Sequence, residues 1–125
     1  MIYTLQISPK PTPRPRLGRF GTYNVPEYTK YKEDLVWLIK AAKIPVSDYG
    51  KISVTFYMPY PKSTAKKALI EGMPHRVKPD ADNYFKACAD ALEQAGIIKN
   101  DSQLYSCSIT KKYTIEQPKI EIELL

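Results

Sequence analysis

Asp80 and Asp82 stand one residue apart in the stretch KPDADN, residues 78–83, and Asp101 follows in the turn IIKND. Lys86 comes four residues after Asp82, a spacing that makes the two side chains neighbours on a helix. These residue types suit phosphodiester hydrolysis. That reaction needs positive charge to offset the non-bridging phosphate oxygens and a means of activating water. Mg²⁺ supplies both, and it prefers oxygen ligands with few protein carboxylates and several waters. Three carboxylates in one pocket push one another toward protonation unless a cation lies among them. Asp80, Asp82 and Asp101 are therefore the candidate metal ligands, and Lys86 the candidate source of positive charge near the attacked phosphate or the leaving oxygen.

Each residue also has an ordinary structural use. Aspartate caps helix N-termini well, and acids in a first turn suit the helix dipole. Asn100-Asp101 fits turn chemistry, and Asp82 with Lys86 fits a surface ion pair. Taken singly, these uses are the better reading. One cap needs only one carboxylate, however, so the set of three is left without a structural reason.

The surroundings are basic. The chain has 19 Lys and Arg against 13 Asp and Glu, a net charge of +6, which favours an anionic partner such as nucleic acid. One acid-poor run is PKPTPRPRLGR, residues 9–19, with Lys10, Arg14, Arg16 and Arg19. A second comprises Lys62, Lys66, Lys67, Arg76 and Lys78, with only Glu71 against it. Lys10, Arg14, Arg16, Arg19, Arg76 and Lys78, with Asn83 beside the acidic pair, are the candidate DNA contacts. On this reading the basic runs carry affinity and the acids carry the chemistry. So wide a footprint argues against a small-molecule phosphohydrolase, and no small-molecule cofactor is expected.

Residues 1–125 read as one domain. No apolar run approaches the ~18 residues of a membrane span. MIYTLQIS has no charged region ahead of an apolar one, so no signal peptide is expected. Cys88 and Cys107 lack metal-site or redox spacing and read as reduced core thiols, which points to the cytoplasm. His75, the single histidine, offers no triad and reads as part of a solvated loop. Among ten tyrosines, Tyr23 and Tyr28 beside the basic loop are the least readily assigned to a core.

The elements that must position these residues follow from periodicity. IYTLQI, residues 2–7, alternates as a strand with Tyr3, Leu5 and Ile7 on one face. The proline-rich segment is expected as an extended surface loop. A helix starts near Pro26, with Tyr28, Tyr31, Leu35, Leu38, Ile39 and Ala42 as its buried stripe. KISVTFYM, residues 51–58, is a strand, and Ser63 through Ile70 is expected as a short helix. A second helix runs from Ala81 or Asn83 to Ala95, closed by Gly96. On it Tyr84, Cys88, Ala91, Leu92 and Ala95 face inward, opposite Asn83, Lys86, Asp90 and Glu93. Residues 104–113 and 119–125 alternate as strands and are expected to pair as a C-terminal antiparallel hairpin. The fold class is mixed α/β, in the α+β sense: one small domain with a mixed sheet packed by two main helices.

The span DADNYFKACADALEQAGIIKND, Asp80 to Asp101, closely resembles the core of the RusA family of Holliday-junction resolvases. Asp80, Asp82, Asn83 and Lys86 match a D-x-D-N-x-x-K motif that opens a helix. Asp90-Ala91-Leu92 matches a following D-A-L segment, and Asp101 with Ser102-Gln103 matches an acidic closing turn. Many members carry two acids in that turn, where this chain has Asn100-Asp101. The resemblance implies a homodimeric, Mg²⁺-dependent endonuclease, with Mn²⁺ substituting, that nicks opposing strands of four-way DNA junctions in recombination and repair. It implies that Asp80, Asp82 and Asp101 bind metal and that Lys86 is essential. It also points to phage or prophage origin and to a bacterial host cell. A two-fold junction cut twice by chains carrying one acidic cluster each also calls for a dimer. The competing reading is a branched-DNA-binding module that keeps the basic surface without catalysis.

Overall fold

In KISVTFYMP the side chains of Ile52, Val54, Phe56 and Met58 all point to one face, and all four are buried. In the computed structural model, which describes residues 1–12, 16–18, 21–23 and 26–125, this strand is the centre of the sheet. The described strands are β1 (Ile2–Leu5), β2 (Arg16–Gly18), β3 (Gly21–Tyr23), β4 (Lys51–Pro59), β5 (Ser106–Thr114) and β6 (Lys119–Leu124). The helices are α1 (Pro26–Ala41) and α2 (Ala81–Gln94). Four strands form one mixed sheet in the order β1-β6-β4-β5, and β2 pairs with β3 as a separate two-stranded ribbon.

Alternation leaves the sheet with one apolar and one polar face. Ile120, Ile122 and Leu124 of β6 join the buried residues of β4. Tyr31, Leu35 and Ile39 of α1 and Tyr84, Cys88, Ala91 and Leu92 of α2 cover that face in a single core. Burying each large apolar side chain contributes roughly 1.5–3 kcal/mol. On the other face, Tyr57 hydrogen-bonds with Glu121, and that carboxylate, with burial, pushes the phenol up to about 12. Lys119 Nζ lies 4.9 Å from the Tyr57 ring centre.

The expected C-terminal hairpin does not form. β5 pairs parallel with β4, while β6 pairs antiparallel with β4 and with β1. β4 therefore separates the two last strands. Its apolar side chains gain a hydrogen-bonded neighbour on both flanks, and the parallel β4–β5 pair is joined through the α2 crossover, as parallel strands require. Residues 115–118 step across the end of β4 instead of turning back beside β5. The expected 63–70 helix is also reduced, to a single 3₁₀ turn over Lys66–Ala68 whose N-cap is Ala65, without a side-chain cap. Of the segment expected as an extended loop, residues 13–15 and 19–20 lie outside the described residues, while Arg16–Gly18 form β2, paired antiparallel with β3.

The remaining segments fasten the loops around α2. Residues 72–75 lie along the outer edge of β5, with Gly72 N–H bonded to Tyr113 O (3.0 Å) and His75 N–H to Lys111 O (3.0 Å). The Tyr60 ring stacks on Tyr113 at 4.4 Å, and Tyr60 Oη donates to Ile70 O at 2.6 Å. The Lys78–Pro79 peptide is cis. Among the described residues, no helix is long and apolar enough to cross a membrane.

Candidate active site on the second helix

α2 begins at Ala81 with Asp80 as its N-cap and Asp82 in its first turn. The helix ends as its sequence dictates, with Gly96 at φ 81. Its buried stripe is Tyr84, Ala87, Cys88, Ala89, Ala91 and Leu92, so the polar stripe carrying Asn83, Lys86 and Glu93 faces away from the core. Asp90, on the same polar side, is half-buried and lies 3.8 Å from Lys32 Nζ of α1.

Asp82 and Lys86 share a pocket of about 320 Å³ with Asp90, Asp101 and Cys107, floored by Phe85, Ala89 and Leu104. Asp101 reaches it because the chain after α2 folds back along the helix. Ile97 and Ile98 bury themselves in the core. The Asp101 N–H then donates to Glu93 Oε1 at 3.1 Å. Asp101 opens a 3₁₀ turn, Asp101–Gln103, whose N-cap is Asn100: its Oδ1 accepts from Ser102 N–H at 2.9 Å. Gln103 joins this turn to the 45–50 loop by donating from Nε2 to Tyr49 O at 3.0 Å. Asn100 is thus occupied in shaping the turn.

Two of the ordinary structural uses are realised, since Asn100 shapes the turn at Asp101 and Asp82 lies in the first turn of α2, but the side-chain cap and the surface ion pair are not. Asp80 makes no side-chain cap bond. Among the described residues the ion pairs are Lys30–Asp34 and Lys32–Asp90, and Asp82 and Lys86 do not form one. Asp80, Asp82, Lys86 and Asp101 are all exposed. Asp80 does not line the pocket that holds Asp82 and Asp101. Among the described residues, no three acidic, histidine or cysteine side chains come together closely enough to hold a metal ion. Of the three carboxylates lining the pocket, Asp90 is paired with Lys32, which leaves Asp82 and Asp101 to match the one or two that Mg²⁺ takes alongside its waters.

Only part of each basic run is described next to this helix. Thr12 N–H donates to Asn83 O at 2.9 Å, which seats the proline-rich segment on the first turn of α2. Lys10 N–H donates to Tyr31 Oη at 3.1 Å, and its ammonium lies 5.6 Å from that ring. Arg76, Lys78 and Asn83 are exposed next to Asp80 in the chain. Arg14 and Arg19 lie outside the described residues, and Arg16 is described in backbone only, within β2. Tyr23 lies in β3, also described in backbone only. Tyr28 is packed against the core, with its Oη 3.2 Å from Thr12 Oγ1. It therefore belongs to the expected α1 stripe, and its hydroxyl also fastens the loop.

Two further expectations are corrected. Cys107 is exposed in the pocket, whereas Cys88 is buried as expected and its thiol is pushed up to about 12 by burial. His75 is half-buried, with its ring 4.7 Å from Tyr113 and its Nδ1 enclosed without a hydrogen-bond partner. Burial and the nearby Lys111 charge hold its pKa below the usual histidine value. The places of Cys107 and Asp90 were legible in part. Cys107 shares strand parity with Ile109 and Tyr113, the side of β5 that meets the core, and Asp90 sits one helical turn after Lys86.

A family model described as "Endodeoxyribonuclease RusA" matches residues 6–125. The chain is 32% identical over 109 residues to "Uncharacterized protein YqaN" of Bacillus subtilis (strain 168), covering 78% of this chain and 73% of that protein. It is 42% identical over 40 residues to "Crossover junction endodeoxyribonuclease RusA" of Aquifex aeolicus (strain VF5), covering 32% of each. The chain belongs to the RusA endodeoxyribonuclease family.

Proposed function

We propose that this protein is a divalent-metal-dependent endodeoxyribonuclease that resolves four-way DNA junctions by paired nicks. It acts as a homodimer in recombination and repair in the cytoplasm of a bacterial cell, and its gene is of phage or prophage origin. The observation that carries the reading is the meeting of Asp82, Lys86 and Asp101 at one open pocket, none of them spent on an ion pair with another. The family match supports the substrate class.

In this reading Asp82 and Asp101 hold Mg²⁺, or Mn²⁺ in its place, and Asp80 joins them from the N-cap. The metal, when bound, offsets phosphate charge and lowers the pKa of a water. Lys86 faces the same pocket and places a positive charge where a phosphate oxygen gains negative charge. Lys10, Arg14, Arg16, Arg19, Arg76, Lys78 and Asn83 hold the DNA backbone, and phosphate contacts of this kind set register. Phe85, Ala89 and Leu104 supply the apolar part of the pocket lining. Two chains related by a two-fold axis present two such pockets to a two-fold junction.

One observation favours a second reading, a branched-DNA-binding module without catalysis. Asp80 lies off the pocket, and the described residues hold no three-ligand cluster. The deciding experiment compares a mobile four-way junction with linear duplex, using wild type and Asp82→Asn, each with Mg²⁺ and with EDTA. Metal-dependent paired nicks near the crossover in wild type alone uphold the nuclease reading. Salt-sensitive junction binding with no cleavage in Mg²⁺ or Mn²⁺ selects the binding module.

A further inference from the structure

β5 runs alongside β4 with Ile52 opposite Cys107, Val54 opposite Ile109, Phe56 opposite Lys111 and Met58 opposite Tyr113. Directly paired residues share a face, and on β4 that face is the buried one. Lys111 therefore sits beside Phe56 on the core side of the sheet, between Ile109 and Tyr113, both of which pack against the core. A lysine there interrupts an apolar row, and its half-buried charge needs hydrogen-bond acceptors. It finds them in one loop. Lys111 Nζ donates to Val77 O at 2.8 Å and to Pro79 O at 2.6 Å.

The second of these carbonyls is the one immediately before Asp80. Holding the Pro79 carbonyl fixes the peptide plane from which Asp80 departs, and Asp80 is the N-cap of α2. Backbone bonds support the same loop from the same residue, since His75 N–H donates to Lys111 O. Asp80 has no side-chain bond of its own to the helix end, so its place is set by the backbone on which it stands. A carboxylate that must meet Asp82 and Asp101 across a pocket edge depends on that backbone being held.

We propose that Lys111 is a positioning residue that sets the 77–80 loop so that Asp80 can serve the reaction; this rests on the nuclease reading above. Its effect passes through the loop, and it makes no contact with DNA. The test uses the full chain as wild type, Lys111→Met and Lys111→Arg. Junction cleavage is resolved into kcat and KM, and hydrogen–deuterium exchange is followed in the peptide covering residues 76–84. The expected result for Lys111→Met is a fall in kcat of about tenfold or more with KM within about twofold. Exchange in that peptide rises while α1 stays protected, and Lys111→Arg recovers most of both. Lys111→Gln replaces Lys111→Met if the latter does not fold.

A rise in KM with kcat unchanged would make Lys111 a phosphate contact and overturn the proposal. So would a fall in kcat with unchanged exchange, or faster exchange with kcat intact. If wild type cleaves nothing, the proposed function fails instead, and the exchange arm alone decides whether Lys111 holds the loop.

Discussion

The carboxylate of Glu93 accepts a hydrogen bond from the backbone N–H of Asp101 at 3.1 Å. Through it the last turn of α2 holds the turn that follows, and Asp101 comes to the pocket of Asp82 and Lys86. From the sequence, Asp101 in the turn after α2 could fold back toward the side of the helix or toward its end. This bond belongs to the first. Glu93→Ala removes the acceptor at a cost of about 1 kcal/mol, which as misplacement of Asp101 corresponds to a fall of about fivefold in cleavage rate. Glu93→Gln keeps an acceptor oxygen and is expected to stay close to wild type. Single-turnover cleavage of the three proteins checks this, and equal rates would show that Asp101 needs no such hold.

The two cysteines are expected to behave differently toward thiol reagents. Cys88 is enclosed by the core, and burial pushes its thiol up to about 12, so almost no thiolate exists at neutral pH. Cys107 opens into the pocket. One thiol per chain should react with Ellman's reagent in native buffer and the second only in denaturant. A bulky maleimide on Cys107 should block cleavage, and Cys107→Ser should be active and resistant. Full cleavage by the labelled wild type would place the substrate elsewhere.

His75 links stability to pH. Its burial and the Lys111 charge lower its pKa in the folded chain, while the unfolded chain takes up the proton near pH 6.5. The unfolded state then binds more protons between the two values. The contribution is present above about pH 6.5 and is lost as pH falls toward the folded value. His75→Phe keeps a ring against Tyr113 without a titrating group, so its stability relative to wild type should improve on going from pH 7.5 to pH 5.5. Urea midpoints at the two pH values test this, and an unchanged difference would remove His75 as a titrating contributor.

Arg76 and Lys78 are exposed beside Asp80 and are expected to neutralise phosphates. Replacing either with alanine should weaken junction binding similarly for all sequences and reduce the slope of log K against log salt by about 1. Slopes measured between low and physiological salt decide it. A wild-type slope in both variants would remove the 76–78 segment from the DNA-binding surface.

The features legible in the chain before folding are local. α2 was readable from end to end, because its apolar stripe, its acidic N-cap and Gly96 all act within a few residues of one another. β4 was readable for the same reason, through its strict alternation of Ile52, Val54, Phe56 and Met58. The pattern Asp80, Asp82, Asn83, Lys86 and Asp101 named the family, and the comparisons agree.

Strand order and the meeting of distant side chains come from packing. β5 and β6 are neighbours in sequence, yet β4 lies between them, because strand partners are chosen by burial of whole faces. Asp82 and Asp101 meet at a pocket through the packing of Ile97 and Ile98 and the hold of Glu93, while Asp80 stays outside its lining. Lys111 shows the same limit. In the sequence it is one of many basic residues, and only the register of β5 against β4 puts it on the core side, beneath the loop that leads to Asp80. Propensity and alternation act over a few residues, whereas these relationships depend on how distant segments share one core.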